Sequence, residues 1–241
     1  MITNSKYVTL LGRAANVLAA VPWVAQWKFN NDGQDSIGAN HLTNNNSATF
    51  TTGKLGGATG ATQLVAASSQ YWSVADNAAL STGNVDFTIC AWVYLDSVVG
   101  LRVITSKWDS AASLEWILYY NGTFNFGWTT DGVTPFFVVG NTFGVATAGI
   151  WYCVIAGHDA TLNLTFISVN DGAQDVLSVT GGFNTNSTVR LGVYLNALQG
   201  FLDGRIDNVC IAKSTAGGGG VLTAAQRTAF YNAGVGTEVL A

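Results

Sequence analysis

The sequence has little charge, little proline and no long apolar run. Asp, Glu, Lys and Arg make up only 10% of its 241 residues, and proline occurs twice; an ordinary soluble domain has roughly 25% charged residues. The net charge is −4 and the basic residues do not cluster, whereas phosphate binding requires clustered cations. No apolar run approaches the roughly 20 residues of a membrane-spanning helix. We therefore expect neither a nucleic-acid partner nor insertion into a membrane.

Neutral polar residues take the place of charge. The chain contains 28 Gly residues together with many Ser, Thr and Asn, yet 49% of its residues are hydrophobic. That fraction leaves more apolar surface than a monomer usually hides. Two explanations remain open: a surface partly buried in an assembly, or a monomer coated with Thr, Asn and Gly.

The three cysteines show no spacing typical of a metal site or a disulfide framework. Cys90, Cys153 and Cys210 each lie in an apolar, strand-like segment, far in sequence from one another and without a paired Cys or His at the spacing of a zinc site. We expect buried free thiols rather than a disulfide or a zinc site. The redox compartment is left open.

Strict alternation of apolar residues from Val85 to Leu95 predicts a β-strand with one apolar face. Every second position is apolar, which fits the two-residue period of a strand and not the 3.6-residue period of a helix. The opposite face carries Trp92 and Tyr94, which predicts either a second covering layer or a contact surface. Further strand-like segments are expected near residues 24–30, 47–52, 62–66, 71–75, 101–108, 114–120, 123–128, 135–139, 150–157, 162–169, 175–180, 187–193 and 200–212.

Turn and capping signals separate these segments. Val169-Asn170-Asp171-Gly172 predicts a tight hairpin between two apolar stretches. Thr223 and Gln226 form a capping-box pattern ahead of apolar residues, and Gly234 is the predicted stop. The expected fold is all-β, a two-sheet antiparallel sandwich with one short C-terminal helix.

Residues 1–24 differ from the rest of the chain. Leu10, Leu11 and Leu18 can line one helical face, as in a secretory signal, but Arg13 interrupts the apolar core that such a signal needs. We therefore expect an uncleaved N-terminal arm over residues 1–24 that docks on a neighbouring molecule, followed by a single domain over residues 25–241.

A series of short motifs resembles the laminin-G-like domains of the concanavalin A-like lectin/glucanase superfamily. The resemblance covers about residues 25 to 235 and preserves the order of the family's motifs. It implies a jelly roll of two antiparallel sheets, one of them concave. The motifs are Trp27-Lys28-Phe29, Asp35-Ser36-Ile37-Gly38-Ala39, Gly53-Lys54-Leu55-Gly56-Gly57-Ala58, Tyr71-Trp72-Ser73-Val74, Asp86-Phe87-Thr88-Ile89-Cys90-Ala91-Trp92-Val93, Trp151-Tyr152, Val169-Asn170-Asp171-Gly172, Leu191-Gly192, the segment from Phe201 to Val209, and the helix from Leu222 to Tyr231.

The superfamily contains both hydrolases and non-catalytic binding modules, so the fold alone does not give the function. Glycoside hydrolysis usually needs two facing carboxylates, and the family's hydrolases carry a Glu-x-Asp-x-Glu strand. The only two Glu residues of this chain are Glu115 and Glu238, and neither has an acidic residue at that spacing. His41 and His158 are likewise far from any acidic or nucleophilic pattern. We expect a protein that is not an enzyme.

The resemblance also implies a structural calcium ion that ties the first strands to the last. Asp35 and Asp207 stand at the positions where the family carries its acidic ligands, and Ca²⁺ prefers carboxylate and carbonyl oxygens. The alternative is that Asp35 makes an Asx turn and that Asp207 accepts hydrogen bonds from nearby backbone N–H groups.

Three tryptophans in predicted strands are candidates for glycan binding, namely Trp108, Trp116 and Trp128. Aromatic rings stack on sugar faces, and neighbouring polar groups read the hydroxyls. The competing interpretation is that these rings fill the core between two sheets.

Two functions follow from these observations. The first is a structural or decoration protein of a large particle such as a phage virion, in its head, fibre or tail, assembling with copies of itself or with other particle proteins and contacting host glycans. The second is a secreted or cell-surface carbohydrate-binding or adhesion module. The corresponding locations are the virion for the first and the extracellular space or cell surface for the second.

Overall fold

Two antiparallel sheets form the body of the molecule. The computed structural model describes residues 17–110, 112–194 and 198–239. Its strands are β1 (Trp23–Trp27), β2 (Thr43–Asn45), β3 (Thr49–Thr51), β4 (Ala61–Leu64), β5 (Tyr71–Val74), β6 (Asp86–Leu95), β7 (Arg102–Trp108), β8 (Leu114–Asn121), β9 (Thr123–Thr129), β10 (Pro135–Val139), β11 (Trp151–Asp159), β12 (Leu164–Val169), β13 (Asp175–Ser178), β14 (Val189–Leu191) and β15 (Gly204–Ser214).

The strand order places the long strands at the centre of each sheet. The eight-stranded sheet runs β13-β12-β11-β6-β15-β4-β3, with β1 also paired to β15, and the seven-stranded sheet runs β10-β9-β8-β7-β14-β5-β2. This architecture confirms the predicted all-β sandwich.

The main core lies between the two sheets. Strand β6 contributes its alternate apolar residues, including Phe87 and Ile89, and the facing strand β8 contributes Trp116, Leu118 and Tyr120. All five side chains are at most 1% exposed. The alternation seen in the sequence therefore corresponds to a face that is removed from water, which supplies the main stabilisation of the fold.

A second apolar layer covers the outer face of the eight-stranded sheet. The side chains of Cys90 and Trp92 point into this layer, where Leu18, Val21 and Phe230 pack against them. Leu18 and Val21 thus pack on the chain's own sheet, and this corrects the expectation for the end of the arm. Residues 1–16 lie outside the described residues, so docking of that part on a neighbour stays a prediction.

The short helix α1 (Ala224–Tyr231) supplies much of this layer and begins as predicted. The Gln226 backbone N–H donates to Thr223 Oγ1 at 3.3 Å, and Thr223 N donates to Gln226 Oε1 at 2.8 Å. The helix ends at Asn232, which adopts a left-handed conformation with φ of 48°, two residues before the predicted stop. Among the described residues, no helix has the length and hydropathy needed to cross a bilayer.

Candidate functional site

An aromatic cleft of about 240 Å³ lies on the outer face of the seven-stranded sheet. On strand β8 the residues Trp116 and Leu118 point into the core, so the alternate residues Ile117 and Tyr119 point outward. Side chains from β7, β10 and the segments flanking β7 and β14 complete the cleft. Its lining residues are Leu101, Trp108, Ile117, Tyr119, Asn121, Phe137 and Tyr194.

A glycine creates the space for this cleft. Strand β9 runs between β8 and β10, and Gly127 lies in register with Ile117 on one side and Phe137 on the other. A Cβ atom at Gly127 would lie 2.7 Å from Ile117 Cγ2 and 2.7 Å from Phe137 Cε1. Because Gly127 has no side chain, the Phe137 ring can lean across β9 towards β8.

The rings of the cleft are tilted against one another. The centroids of Trp108 and Phe137 are 6.1 Å apart at an interplanar angle of 41°, and those of Tyr119 and Phe137 are 6.0 Å apart at 89°. Phe137 is 41% exposed, whereas Trp108 is 6% exposed. Phe137 is therefore the most accessible of the three rings, and Trp108 supports it from one side.

Neutral polar groups accompany the rings. The Tyr194 hydroxyl donates to Gln199 Oε1 at 3.2 Å, and the amide of Asn121 lies at the exposed end of β8. Burial raises the pKa of Tyr119, and the nearby Tyr194 raises it further, so this phenol stays protonated. None of the seven lining residues is Asp, Glu, His, Cys, Lys or Arg.

The three candidate tryptophans are separated by the structure. Trp108 lines the cleft. Trp116 and Trp128 lie opposite each other on the neighbouring strands β8 and β9, and their side chains are buried in the core between the two sheets. Trp128 Nε1 donates to the Gly181 carbonyl at 3.0 Å, and its ring stacks on His158 with centroids 4.6 Å apart. This burial corrects the prediction for Trp116 and Trp128, because a sugar cannot reach rings that fill the core.

Sequence analysis did not identify the other cleft residues. Tyr119 and Phe137 stand on the faces of their strands opposite to core residues, and Tyr194 follows β14. The alternation of β8 indicates which of its residues point outward. It does not show that three strands and two flanking segments place these side chains together.

The two glutamates lie in different surroundings. Glu115 is buried, and its carboxylate contacts Lys107 Nζ at 2.5 Å and also accepts hydrogen bonds from the backbones of Thr82 and Thr185. Glu238 instead pairs with Lys28 at 3.1 Å. The hydrogen-bonding and ion-pair partners of Glu115 are thus different from those of Glu238.

The proposed calcium ligand Asp35 is already occupied by hydrogen-bond donors. Its Oδ1 accepts from the backbone N–H groups of Gln26 and Ile37, and its Oδ2 accepts from the backbone and side chain of Asn40. Burial acts to raise the pKa of Asp35, but the hydrogen bonds outweigh it and the pKa is lowered. The contacts match the Asx-type alternative and do not fit a calcium ligand.

Asp207 has a different environment. Its Oδ2 accepts from the backbone N–H groups of Lys54 and Leu55 at 2.6 and 2.9 Å, while its buried Oδ1 has no hydrogen-bond partner. Burial raises the pKa of Asp207 to about 7. Calcium takes six to eight oxygen ligands, and the described part of the chain contains no group of three or more His, Cys, Asp or Glu suited to a metal ion. We derive no role for calcium.

Comparison with protein families gives one match. The family model Laminin_G_3, described as the concanavalin A-like lectin/glucanases superfamily, matches residues 66–216. No curated protein matches the chain in sequence.

Solved structures share the fold at low sequence identity. Domain 4 of AbnA, a GH43 extracellular arabinanase from Geobacillus stearothermophilus solved in complex with arabinotriose, is 17% identical with a TM-score of 0.63, over 90% of this chain and 99% of that domain. The binding domain of Paraclostridial Mosquitocidal Protein 1 is 15% identical with a TM-score of 0.67, over 89% of this chain and 53% of the toxin domain. The botulinum neurotoxin serotype D binding domain is 11% identical with a TM-score of 0.61, over 83% of this chain and 50% of the toxin domain. The chain thus spans about half of the two toxin domains.

Proposed function

The chain belongs to the concanavalin A-like lectin/glucanases superfamily, and from this premise we propose that it is a non-catalytic carbohydrate-binding module. The proposed binding site is the aromatic cleft on the outer face of the seven-stranded sheet. The family contains both enzymes and binding domains, so the proposal rests on the chemistry of the cleft.

The observation that carries the proposal is the lining of the cleft. Four aromatic rings line a concave space. Two of these rings carry a phenol hydroxyl, and Asn121 adds an amide. Sugars present apolar C–H faces that stack on aromatic rings and hydroxyls that pair with neutral donors and acceptors. A site of this composition suits a sugar better than it suits a charged or a purely apolar ligand.

The similar structures are compatible with this proposal. One of them is domain 4 of an arabinanase in complex with arabinotriose, and others are binding domains of toxins. These names describe those proteins, and they support the proposal only as examples of binding domains that share the fold.

The composition of the cleft also supports a binding role over hydrolysis. Glycosidases place two carboxyl groups about 5–9.5 Å apart across the scissile bond, and the cleft lining contains no carboxylate. Glu115, the buried glutamate, is held by Lys107 and by backbone N–H groups.

A glycan array followed by calorimetry tests the proposal. Phe137→Ala removes the most exposed ring, and we expect it to weaken sugar binding by up to about tenfold, since an aromatic contact contributes up to about 1.5 kcal/mol and about 1.4 kcal/mol is a factor of ten. Ile150→Ala is the matched control, because Ile150 is 49% exposed and lies outside the cleft. Failure of the wild-type protein to bind any glycan, or equal affinities for the two variants, would contradict the proposal.

Our second proposal concerns where the protein acts: we propose that it is a component of a large particle. It is supported by the low charge of the chain, 10% of residues. The proposed contacts are with copies of the chain or with other particle proteins, as in a virion. A monodisperse monomer in light scattering would instead favour a secreted or cell-surface module.

A further inference from the structure

We infer that the cleft selects uncharged oligosaccharides of bent shape and discriminates against anionic sugars and flat polysaccharide surfaces. This inference deepens the proposed function and rests on it. The geometry that carries it is the uncharged lining together with the mutual tilt of the Trp108, Tyr119 and Phe137 rings.

The cleft offers no partner for a carboxylate or sulfate. None of its seven lining residues carries a charge, and the stretch from residue 191 to residue 200, which includes Tyr194, is uncharged in sequence. Aromatic faces carry partial negative charge. An anionic sugar would therefore lose its hydration over these rings without gaining a cation.

The cations of the neighbouring strand β7 are engaged elsewhere. Lys107 Nζ donates to Glu115 at 2.5 Å and to the Thr185 carbonyl at 2.6 Å, and it pairs with Asp76 at 2.9 Å. Its side chain is fully buried. Arg102 on the same strand donates to the Phe201 carbonyl at 3.1 Å. A rearrangement that freed either cation for a ligand would break these contacts.

The tilt of the rings sets the shape of the ligand. A flat polysaccharide surface is matched by aromatic rings in one plane, whereas Phe137 is inclined by 41° to Trp108 and by 89° to Tyr119. Only one ring at a time can stack on a planar array of sugars. A soluble chain that turns between successive residues can instead present different faces to the different rings.

The lining contains no Asp, Glu, His, Cys, Lys or Arg, and burial raises the pKa of the Tyr119 phenol above its ordinary value. We therefore expect the affinity for a neutral sugar to be the same at pH 5.5 and pH 8.5. An imidazole in the site would make the affinity change over this interval.

Matched pairs of soluble sugars test the charge selectivity. The probes are lactose with sialyllactose, and galactotriose with trigalacturonate, within a panel that also holds arabinotriose, xylotriose, maltotriose and cellotriose. We expect the neutral member of each matched pair to bind and its anionic partner to bind at least tenfold more weakly. Asn121→Lys places a cation at the exposed rim and should narrow that gap, whereas Asn186→Lys, an exposed control outside the lining, should not.

The outcomes separate this inference from the function on which it rests. Anionic sugars that bind as tightly as neutral ones and are weakened by Phe137→Ala would overturn the charge selectivity and leave the binding function standing. Binding to crystalline cellulose that depends on Phe137 would overturn the shape selectivity in the same way. If no member of the panel binds in a Phe137-dependent manner, the proposed function itself is overturned.

Discussion

At the scale of single residues, His158 shows how burial fixes a protonation state. The ring has no exposed surface, stacks on Trp128, and leaves Nε2 without a hydrogen-bond partner. Burial lowers the pKa of His158 from 6.5 to about 4. The sequence showed only an isolated histidine, and its location in the core could not be read from its neighbours.

This environment predicts a specific loss of stability in acid. The folded-state pKa lies below the unfolded value, so the unfolded chain binds more protons between about pH 4 and 6.5. The contribution of His158 to the free energy of unfolding is therefore complete above pH 6.5 and falls by up to about 3 kcal/mol as the pH drops towards 4. Urea unfolding at pH 7 and pH 4.5 measures it.

The variant His158→Phe serves as the reference because it keeps a ring beside Trp128 but cannot be protonated. Asp207 acts in the opposite direction: its pKa is raised to about 7, so its contribution is lost as the pH rises from its unfolded value through 7. Comparing wild type with His158→Phe cancels that effect. If the free energy of unfolding had the same pH dependence in both proteins, the loss of stability in acid would not come from His158.

Glu115 is the second residue whose role depends on burial. It stands opposite a register shift between Lys107 and Trp108, and its side chain is as buried as that of Lys107. Removing one partner of a buried pair leaves an uncompensated charge. We expect Glu115→Ala to lower the free energy of unfolding by about 3–5 kcal/mol.

A second Glu→Ala variant gives the control in the same urea experiment. Glu238 pairs with Lys28 at the surface, where both side chains are about 30% exposed, and exposed pairs contribute about 1 kcal/mol or less. A Glu115→Ala variant that loses no more stability than Glu238→Ala would show that the Lys107 pair is not buried as described.

At the scale of elements, prediction succeeded where a strand has one apolar face and failed where pairing is polar or irregular. The alternation from residue 85 to 95 matches β6 within a residue. Strand β2, Thr43–Asn45, was missed because its three residues are polar and partly exposed. The bulge at Glu115 was also invisible, since a register shift depends on the partner strand.

The element-scale prediction concerns Gly127 on β9. A methyl group there would meet Ile117 and Phe137 at 2.7 Å, so Gly127→Ala must push the Phe137 ring away from β8. We expect at least tenfold weaker sugar binding together with a loss of about 1–3 kcal/mol in folding free energy from overpacking. Calorimetry and urea unfolding measure the two effects.

Gly57→Ala is the matched control for this substitution, because a Cβ atom at Gly57 meets nothing within 4 Å. It should change neither quantity. Unaltered sugar binding by Gly127→Ala would mean that the position of the Phe137 ring does not define the site.

At the scale of the whole molecule, the sandwich follows from local patterns but the site does not. The apolar residues of each strand indicate which of its faces points inward. Two sheets with apolar faces must pack against each other to bury those faces. The cleft instead combines residues from three strands, β7, β8 and β10, with Leu101 and Tyr194 from flanking segments, and it depends on the absence of a side chain at Gly127. Of the predicted glycan-binding residues, only Trp108 lies in it.

The central proposal is that this sandwich binds sugar in the cleft around Trp108. Nitrogen-labelled indoles report it directly, because each of the eight tryptophans gives its own N–H resonance in a two-dimensional NMR spectrum. The protein is titrated with the neutral trisaccharides of the panel. The account predicts a saturable shift of the Trp108 indole while those of the buried Trp116 and Trp128 stay in place. An unchanged Trp108 resonance in protein saturated with sugar would contradict it.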